Sequence, residues 1–446
     1  MADRAELARV PGAVAMYRAA LALVVGDTAE TVRQAARAAE RAVDGDHLTL
    51  AAASALGGLA RWGTGDLDGA FAGYSTAVEG LRRAGHLADV LGCTITLADI
   101  LVTQGRLGDA RRTLERALDF ASGTPGVMRG TPDMHVGLSQ VAWERGDLET
   151  AREHLRQASD LGEAAGLPQN PYRLRVAQAR LHDADGDLER AVELLDDAER
   201  VYTGDYSPNV QPVPATRARV QLRAGDLAAA EEWARAHGLA VDDEPSYLRE
   251  YEHLTFARLV LARGGDRAPH AVTFLERLLA AAEEGGRTGS AIEALGLLAL
   301  ARSAAGDEAS ALADLDRALA LARPEGWQRV FTAEGEPMAA LLRTLARRAG
   351  ERSYAADVLR ATAPTRRTTP RPARDQQLVD PLSDRELDVL RLLASELDGP
   401  DIARELSVSL NTLRTHTRHI YAKLGVNSRR AAVRRAAELD LLARGR

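Results

Sequence analysis

A turn motif recurs through the first three hundred residues of the chain at an almost constant spacing. Its glycine stands at eight positions that are separated by 39, 40, 41, 40, 39, 40 and 41 residues. A fixed period of this length indicates a repeat architecture, in which each unit packs on its neighbours and no single large core forms. The eight glycines are Gly26, Gly65, Gly105, Gly146, Gly186, Gly225, Gly265 and Gly306.

The letters around each glycine predict a pair of helices. Four of the eight copies read Gly-Asp-Leu-x-x-Ala, as in "GDLETA" and "GDLERA". Glycine can adopt the left-handed conformation that ends one helix, and aspartate can accept backbone N–H groups at the start of the next. The small alanine lets the two helices approach closely. Flanking stretches such as "FAGYSTAVEGLRRAG" have helical apolar spacing, and none predicts a strand. We therefore expect an all-α solenoid of helix pairs.

Stacked helix pairs of this composition resemble tetratricopeptide repeats, whose usual period is about 34 residues. The resemblance implies a right-handed superhelix with a concave face, which we place in residues 1–360. Two proline-rich loops, residues 123–133 and 203–214, interrupt the array. Long loops often lie on the functional face of a solenoid, and an insertion without function is the alternative. The region from Arg323 is expected to cap the stack, and residues 361–380 to form a flexible linker.

Charge is distributed unevenly along the chain. Residues 365–446 contain sixteen Arg plus Lys and eleven Asp plus Glu, a balance of +5, so that the net charge of -7 leaves -12 for the rest. Residues 411–435 contain seven basic residues and no acidic one, and Lys423 among them is the only lysine of the chain. Such asymmetry predicts two parts with different partners.

Several classes of protein are disfavoured by the composition. No run of 18 apolar residues and no secretory signal pattern is present, so we expect no membrane span and a cytoplasmic location. The single cysteine, Cys93, is expected to be an inert core thiol. No common catalytic motif occurs, and His416 and His419 lack further metal ligands nearby in the sequence. We expect no enzymatic activity, no metal and no cofactor.

Residues 381–446 predict a small domain of four helices. Apolar residues recur at helical spacing through its first three helices and define their buried sides. The predicted inward residues are Leu387, Leu390 and Leu393 or Ala394 in the first helix, Ile402, Ala403 and Leu406 in the second, and Leu413, Thr417, Ile420 and Leu424 in the third.

The third helix of this domain has a second, basic side. Arg414 and Arg418 lie one turn apart, together with Asn411, Thr415 and Ala422, and no carboxylate is among them. Such a face suits the major groove of DNA, where arginine binds both acceptors of guanine. A solvated basic helix without a partner is the alternative. A short helix, a turn and a longer basic helix together make a helix-turn-helix.

The segment "LSDRELDVLRLLASELDGPDIARELSVSLNTLRTHTRHIYAKLGVNSRRAAV" resembles the LuxR-type (GerE) DNA-binding domain. This resemblance implies that Arg414, Thr415 and Arg418 contact bases of double-stranded DNA. It also implies backbone contacts by Asn411, Thr412, Lys423, Ser428 and Arg429. The last helix resembles the family's dimerisation helix, and its expected seam consists of Ala432, Val433 and Ala436.

The upstream repeats, including "ARPEGWQRVFTAEGEPMAALL", resemble the helical repeat region of the large MalT-like LuxR-family regulators. In those proteins an ATP-binding signalling domain precedes the repeats. A Walker A loop needs Gly-Lys followed by Ser or Thr, and this chain has no lysine before Lys423. We therefore expect that the ATP-binding domain is absent.

Two hypotheses of function follow. The first is a transcriptional regulator that binds DNA as a homodimer, with a repeat region that senses an unidentified effector or partner protein. The second is a protein-interaction scaffold, or a titrating partner of a larger regulator, with minor DNA binding. Trp62, Trp143, Trp233 and Trp327 could line a concave ligand surface, although packing between repeats is the simpler interpretation.

Overall fold

Every regular element in the described part of the chain is helical, which confirms the all-α prediction. The computed structural model describes residues 4–123, 126–204, 207–264, 268–350 and 352–362. Further along, it describes residues 389–390, 392–394, 401–402, 404, 406, 413, 417, 420–421, 423, 426 and 429–438. The chain divides into two units, residues 1–363 and 364–446. Nearly all of the predicted linker falls outside the described residues, and residues 361 and 362 still belong to a helix.

Within its described residues, the first unit contains eight pairs of α-helices followed by three further α-helices. The first four pairs are α1 (Arg4–Val24) and α2 (Thr28–Arg41), α3 (His47–Thr64) and α4 (Leu67–Ala84), α5 (Leu87–Thr103) and α6 (Leu107–Ser122), α7 (Thr131–Glu144) and α8 (Leu148–Leu161). The next four are α9 (Asn170–Asp185) and α10 (Leu188–Val201), α11 (Val213–Arg223) and α12 (Leu227–Ala236), α13 (Glu250–Arg263) and α14 (Ala268–Glu284), α15 (Thr288–Ala304) and α16 (Glu308–Ala322). The final helices are α17 (Arg329–Thr332), α18 (Gly335–Ala349) and α19 (Tyr354–Thr362).

The repeated glycines act as the sequence predicts. Seven of the eight have positive φ angles of 76° to 85°, a conformation that costs glycine little and other residues much, and Gly265 lies outside the described residues. The following aspartates begin the second helix of a pair. Asp27 accepts a hydrogen bond from the backbone N–H of Glu30 at 2.8 Å, and Asp147 accepts one from Thr150 at 3.1 Å.

The alanine of the motif sets how closely the paired helices pack. At six repeats its side chain is completely inaccessible to solvent, with 0% exposure. A larger residue there would force the helices apart, because protein interiors are close-packed. The six residues are Ala70, Ala110, Ala151, Ala191, Ala230 and Ala311.

The region after the eighth pair does more than cap the stack. The indole Nε1 of Trp327 donates to the carbonyl of Gly105 at 3.1 Å, and the backbone N–H of Gln328 donates to the carbonyl of Glu144 at 3.0 Å. The carboxylate of Glu325 accepts a bond of 2.6 Å from the N–H of Gly108. These contacts join the end of the solenoid to its third and fourth pairs. The superhelix therefore closes on itself.

Helix α1 departs from the expectation about membrane-spanning segments. Among the described helices, it is the one whose length and composition would suffice to cross a membrane, over Glu6–Val24 with a mean hydropathy of 1.4. Its small residues Gly12, Ala15, Ala19 and Ala22 are buried, on the side where α2 and α3 pack. The other side of α1 is exposed.

Cys93 is partly buried between two apolar clusters of the third pair and its neighbours. Burial raises the pKa of its thiol to about 12. A thiol with such a pKa is almost entirely protonated at neutral pH and therefore a poor nucleophile. The burial and the raised pKa agree with the prediction of an inert core cysteine, which stays a prediction.

Candidate functional site

The carboxy-terminal unit has an apolar core of its own. Leu413 and Ile420 are 4% and 0% exposed, which confirms the inward stripe predicted for the third helix at these two positions. The hydroxyl of Thr417, on the same stripe, donates to the carbonyl of Leu413 at 2.9 Å. Residues from the other segments complete this core: Val389, Leu390, Leu393, Ile402, Ala432 and Ala436.

Most of the predicted DNA contacts lie outside the described residues, namely Arg414, Thr415, Arg418, Asn411, Thr412 and Ser428. Lys423 lies in a helical segment and is partly buried. Arg429 begins α20 (Arg429–Glu438), and its Nε donates to the carbonyl of Leu393 at 2.8 Å. Arg429 therefore holds the last helix against the first segment of the module, a role that the sequence analysis missed.

The predicted dimerisation seam needs a correction. Ala432 and Ala436 are 0% exposed and belong to the core of their own module. A methyl group that is already enclosed by its own chain is unavailable to a second subunit, so these two residues do not form a seam. Val433 is partly exposed and is the one residue of the three that a partner could touch.

A cavity of about 740 Å³ lies inside the repeat solenoid. Its wall comes mainly from the first helices of successive pairs, α5, α7, α9, α11, α13 and α15, and from the region 327–337 that closes the superhelix. Val210 and Gln211 from the loop 203–214 also line it. Of the two proline-rich loops, the loop 203–214 therefore contributes to the cavity wall, and no described residue of the loop 123–133 lines it.

One charged network in the cavity wall centres on Glu293. Its carboxylate accepts from Arg219 at 2.8 Å and from Arg258 at 2.6 Å, and Arg258 also contacts Glu334 at 2.6 Å. Burial by itself would raise the pKa of Glu293, but the two guanidinium groups outweigh it, and the pKa lies below its usual value. The guanidinium of Arg219 also stacks on the ring of Tyr251, 3.6 Å from its centroid.

A second network surrounds Asp183 and Trp143. Asp183 pairs with Arg223 and, at 3.2 Å, with Arg329. The guanidinium carbons of Arg180 and Arg329 lie 5.5 and 5.4 Å from the indole centroid of Trp143, within range of a cation–π interaction. Oδ1 of Asp183 and Nε of Arg329 are buried and have no hydrogen-bond partner. Such orphaned atoms are characteristic of sites that hold water or a ligand.

The carboxylate of Glu144 lies in the cavity wall without a polar partner among the described residues. No hydrogen bond or ion pair joins that carboxylate to the described part of the chain, although its backbone carbonyl accepts from Gln328. Burial raises the pKa of the carboxyl to about 7, even though Arg180 acts in the opposite direction. A perturbed carboxyl group that faces a cavity is a candidate for ligand recognition.

Comparisons with known proteins fit this architecture. A sequence profile of the MalT-like TPR region matches residues 12–348. The chain belongs to the MalT-like TPR family. A profile of bacterial regulatory proteins of the luxR family matches residues 380–436.

Two curated relatives of this MalT-like chain are HTH-type transcriptional regulators named MalT from Klebsiella pneumoniae, strain 342 and strain ATCC 700721 / MGH 78578. Each is 27% identical to it over 450 residues, which cover 95% of this chain and 49% of the relative. The chain thus spans about half the length of these relatives. Among solved structures, the Rap conjugation gene regulator of plasmid pLS20 in complex with the Phr* peptide is 13% identical, with a TM-score of 0.47, and covers 74% of this chain and 98% of its own.

The tryptophans of the MalT-like repeats divide between the two predicted roles. Trp62 and Trp233 are 2% and 7% exposed and belong to the packing between helices. Trp143 and Trp327 line the cavity, and Trp327, which is 5% exposed, also belongs to the main apolar core. Glu144 and the arginines of the wall were missed by sequence reasoning, because alternating charges on a helix resemble a solvated surface. Among the described residues no cluster of three or more potential metal ligands occurs.

Proposed function

We propose that this chain is a sequence-specific DNA-binding transcriptional regulator whose repeat region senses a small ligand or a partner protein. The DNA-binding part of this proposal is supported by the luxR-family match over residues 380–436, which covers a module with its own apolar core. The proposal includes double-stranded DNA as the partner of the module and a cytoplasmic location. It also includes a homodimer on DNA, which would bind an inverted repeat with half-sites about one helical turn apart.

Support for the DNA-binding face comes from the buried stripe of the third helix. Leu413 and Ile420, seven residues apart, are both enclosed in the core. With about 3.6 residues per turn, the sequence positions of Arg414 and Arg418 are offset from that stripe by roughly 100° to 140°. We propose that Arg414, Thr415 and Arg418 contact base edges there, with Asn411, Thr412, Lys423 and Ser428 at the DNA backbone.

DNA recognition is tested by selecting bound sequences from random duplexes with the 446-residue chain. We expect a single enriched motif with two inverted half-sites. Affinity for that motif should fall with salt, with a slope of about -0.9 per neutralised phosphate, because bound counterions are released. Selection without enrichment, or binding that is insensitive to salt, would contradict the proposal and favour the interaction scaffold.

The sensing half of the proposal rests on the cavity. Its volume of about 740 Å³ lies within the range of roughly 300–1,000 Å³ that is typical of small-molecule sites. Aromatic faces at Trp143 and Trp327, the unmatched carboxylate of Glu144 and several guanidinium groups converge on it. This set can bind a polar ligand by stacking and by hydrogen bonds at the same time.

Sensing is tested by native mass spectrometry of the purified chain, followed by a thermal-shift screen of small metabolites. A ligand of the cavity should stabilise the parent and lose most of its effect in Glu144→Gln and Trp143→Phe. The exposed substitution Glu149→Gln, on the neighbouring α8, is the control. A ligand that binds all of these variants equally lies elsewhere, and a peptide or protein partner then becomes the better proposal.

A further inference from the structure

Helix α1 carries a continuous stripe of large apolar side chains that nothing in the described structure covers. Its six members are between 41% and 67% exposed. Together with the adjacent Val25, at 78%, they account for most of the strongly exposed large apolar side chains in the described part of the chain. We define the α1 stripe as Leu7, Val10, Val14, Tyr17, Leu21 and Val24.

The spacing of the α1 stripe is that of a coiled-coil seam. Its members are separated by three, four, three, four and three residues, which corresponds to alternating first and fourth positions of a heptad. The opposite side of α1, with Gly12, Ala15, Ala19 and Ala22, is already buried on the side of α2 and α3. The helix therefore has one apolar face for its own solenoid and a second one without a partner.

The area of the stripe is large for a surface in contact with water. Given typical side-chain areas, the exposed parts of the six side chains amount to roughly 600 Å² of apolar surface. This is at the upper end for the largest apolar patch on a soluble monomer. Two such surfaces together would bury roughly 1,200 Å², about the lower limit of stable protein interfaces. Two copies of α1 thus supply enough area for a moderate self-association.

We propose that two copies of this chain associate through the α1 stripe, with the two α1 helices antiparallel. Around a two-fold axis between residues 15 and 16, Leu7 faces Val24, Val10 faces Leu21 and Val14 faces Tyr17. Each layer then combines one valine with one larger residue, so that the seam fills evenly. A parallel pair would place Tyr17 against Tyr17 and Val14 against Val14, which gives overfilled and underfilled layers.

A lipid surface is the competing occupant, because the length and composition of α1 would also suit a membrane. Crossing a bilayer would require α1 to leave α2 and α3 and expose its small-residue face. Lying on a bilayer is favoured by a rim rich in lysine and arginine. The segment 6–25 contains only Arg9, Arg18 and Glu6 as charged residues. The observations therefore favour a second copy, whether or not the chain also binds DNA.

The proposal is tested first by sedimentation equilibrium of the 446-residue chain between 1 and 100 µM. We expect a reversible dimer in the parent and at least a tenfold weaker association in Val14→Asp and Tyr17→Asp, since each places charges in the central layer. Leu321→Asp, at another exposed apolar position, is the control and should associate like the parent. Circular dichroism verifies that each variant remains helical.

Cysteine pairing tests the antiparallel direction. In the proposed dimer Leu7→Cys and Val24→Cys face each other across subunits, whereas residues 7 and 7 lie about 25 Å apart along the helices, given about 1.5 Å per residue. An oxidised mixture of the two single variants should therefore form disulfide dimers, and neither variant alone should do so. The parent, with Cys93 only, is the control.

Each result of these experiments supports or contradicts a specific part of the proposed dimer. A parent that remains monomeric at 100 µM overturns the proposal. Cross-linking of Leu7→Cys alone keeps the interface but refutes its antiparallel direction. A monomer that co-floats with vesicles of phosphatidylcholine and phosphatidylglycerol, and loses this in Tyr17→Asp, assigns the stripe to a membrane. Failure of DNA selection leaves the sedimentation result unchanged, so the two proposals are distinguishable.

Discussion

The two units of the chain differ in how their arginines are distributed relative to acidic residues. Four of the five arginines that line the cavity of the solenoid pair with carboxylates: Arg219 and Arg258 share Glu293, and Arg223 and Arg329 share Asp183. Residues 411–435 of the second unit contain seven basic residues and no acidic one. Most charges around the cavity are thus paired within the solenoid, whereas we propose that the basic segment of the module meets the phosphates and bases of DNA. Substitutions in the two regions should therefore affect different properties.

The largest effect is expected for Arg258→Ala in the solenoid. The guanidinium of Arg258 contacts both Glu293 and Glu334 at 2.6 Å. Without it, Glu293 keeps Arg219 as a partner, but the largely buried carboxylate of Glu334 loses its counter-ion. The free energy of unfolding should fall by about 3–5 kcal/mol. Chemical denaturation followed by circular dichroism measures this. The control is Arg83→Ala, whose pair with Glu79 is exposed and should matter little. Equal losses of unfolding free energy in both variants would contradict the expected difference between a buried and an exposed ion pair.

Glu144→Gln tests a carboxylate of the cavity wall that forms no ion pair with the described residues. The pKa of Glu144 is raised to about 7 from 4.5, so the folded chain binds this proton more tightly than the unfolded chain. The stabilising contribution is complete below about pH 4.5 and is lost as the pH rises through about 7. The variant should therefore exceed the stability of the parent by less than about 1 kcal/mol at pH 5 and by up to about 3 kcal/mol at pH 8.5, at about 1.4 kcal/mol per pKa unit.

The groups around Glu144 that share this titration are Arg180, Arg219, Arg329 and Glu293. Denaturation of parent and variant at five pH values between 5 and 8.5 provides the measurement. A difference in stability that does not change with pH would show that Glu144 is solvated like a surface carboxylate.

In the module, Arg414→Ala should leave stability unchanged and reduce DNA affinity. Loss of a base contact should cost about 1–3 kcal/mol of binding free energy and relax the preference at one base pair of the selected motif. Fluorescence anisotropy with the motif and with its single-base variants measures both. If the variant unfolds more easily and binds DNA like the parent, Arg414 belongs to the fold and not to the interface.

Lys423→Ala should give the smallest effect. A phosphate contact carries no sequence information, so affinity should decrease alike for all duplexes, and the salt slope should become shallower by about 0.9. Salt titrations of parent and variant on specific and random duplexes provide the comparison. A change of base preference in this variant would contradict the assignment to the backbone.

The sequence by itself determined the local architecture of this protein. The turn glycines, the capping aspartates and the buried alanines could all be read from one motif, and the stripe of Leu413 and Ile420 from helical spacing. These features depend on contacts within one turn or one helix pair, so the residues that specify them stand close together in the chain. Side-chain identities at fixed spacing are sufficient to predict such contacts.

Only the tertiary structure decided what lies inside the superhelix and what remains outside. The bond from Trp327 to Gly105 spans 222 residues, and it depends on small rotations that accumulate over many pairs and that no single repeat encodes. The same closure turns Glu144 from an apparent surface acid into a cavity carboxylate. Likewise, only the positions of the neighbouring helices show that Ala432 and Ala436 lie in the core of their module. The same holds for the α1 stripe, which lies on the surface of the solenoid.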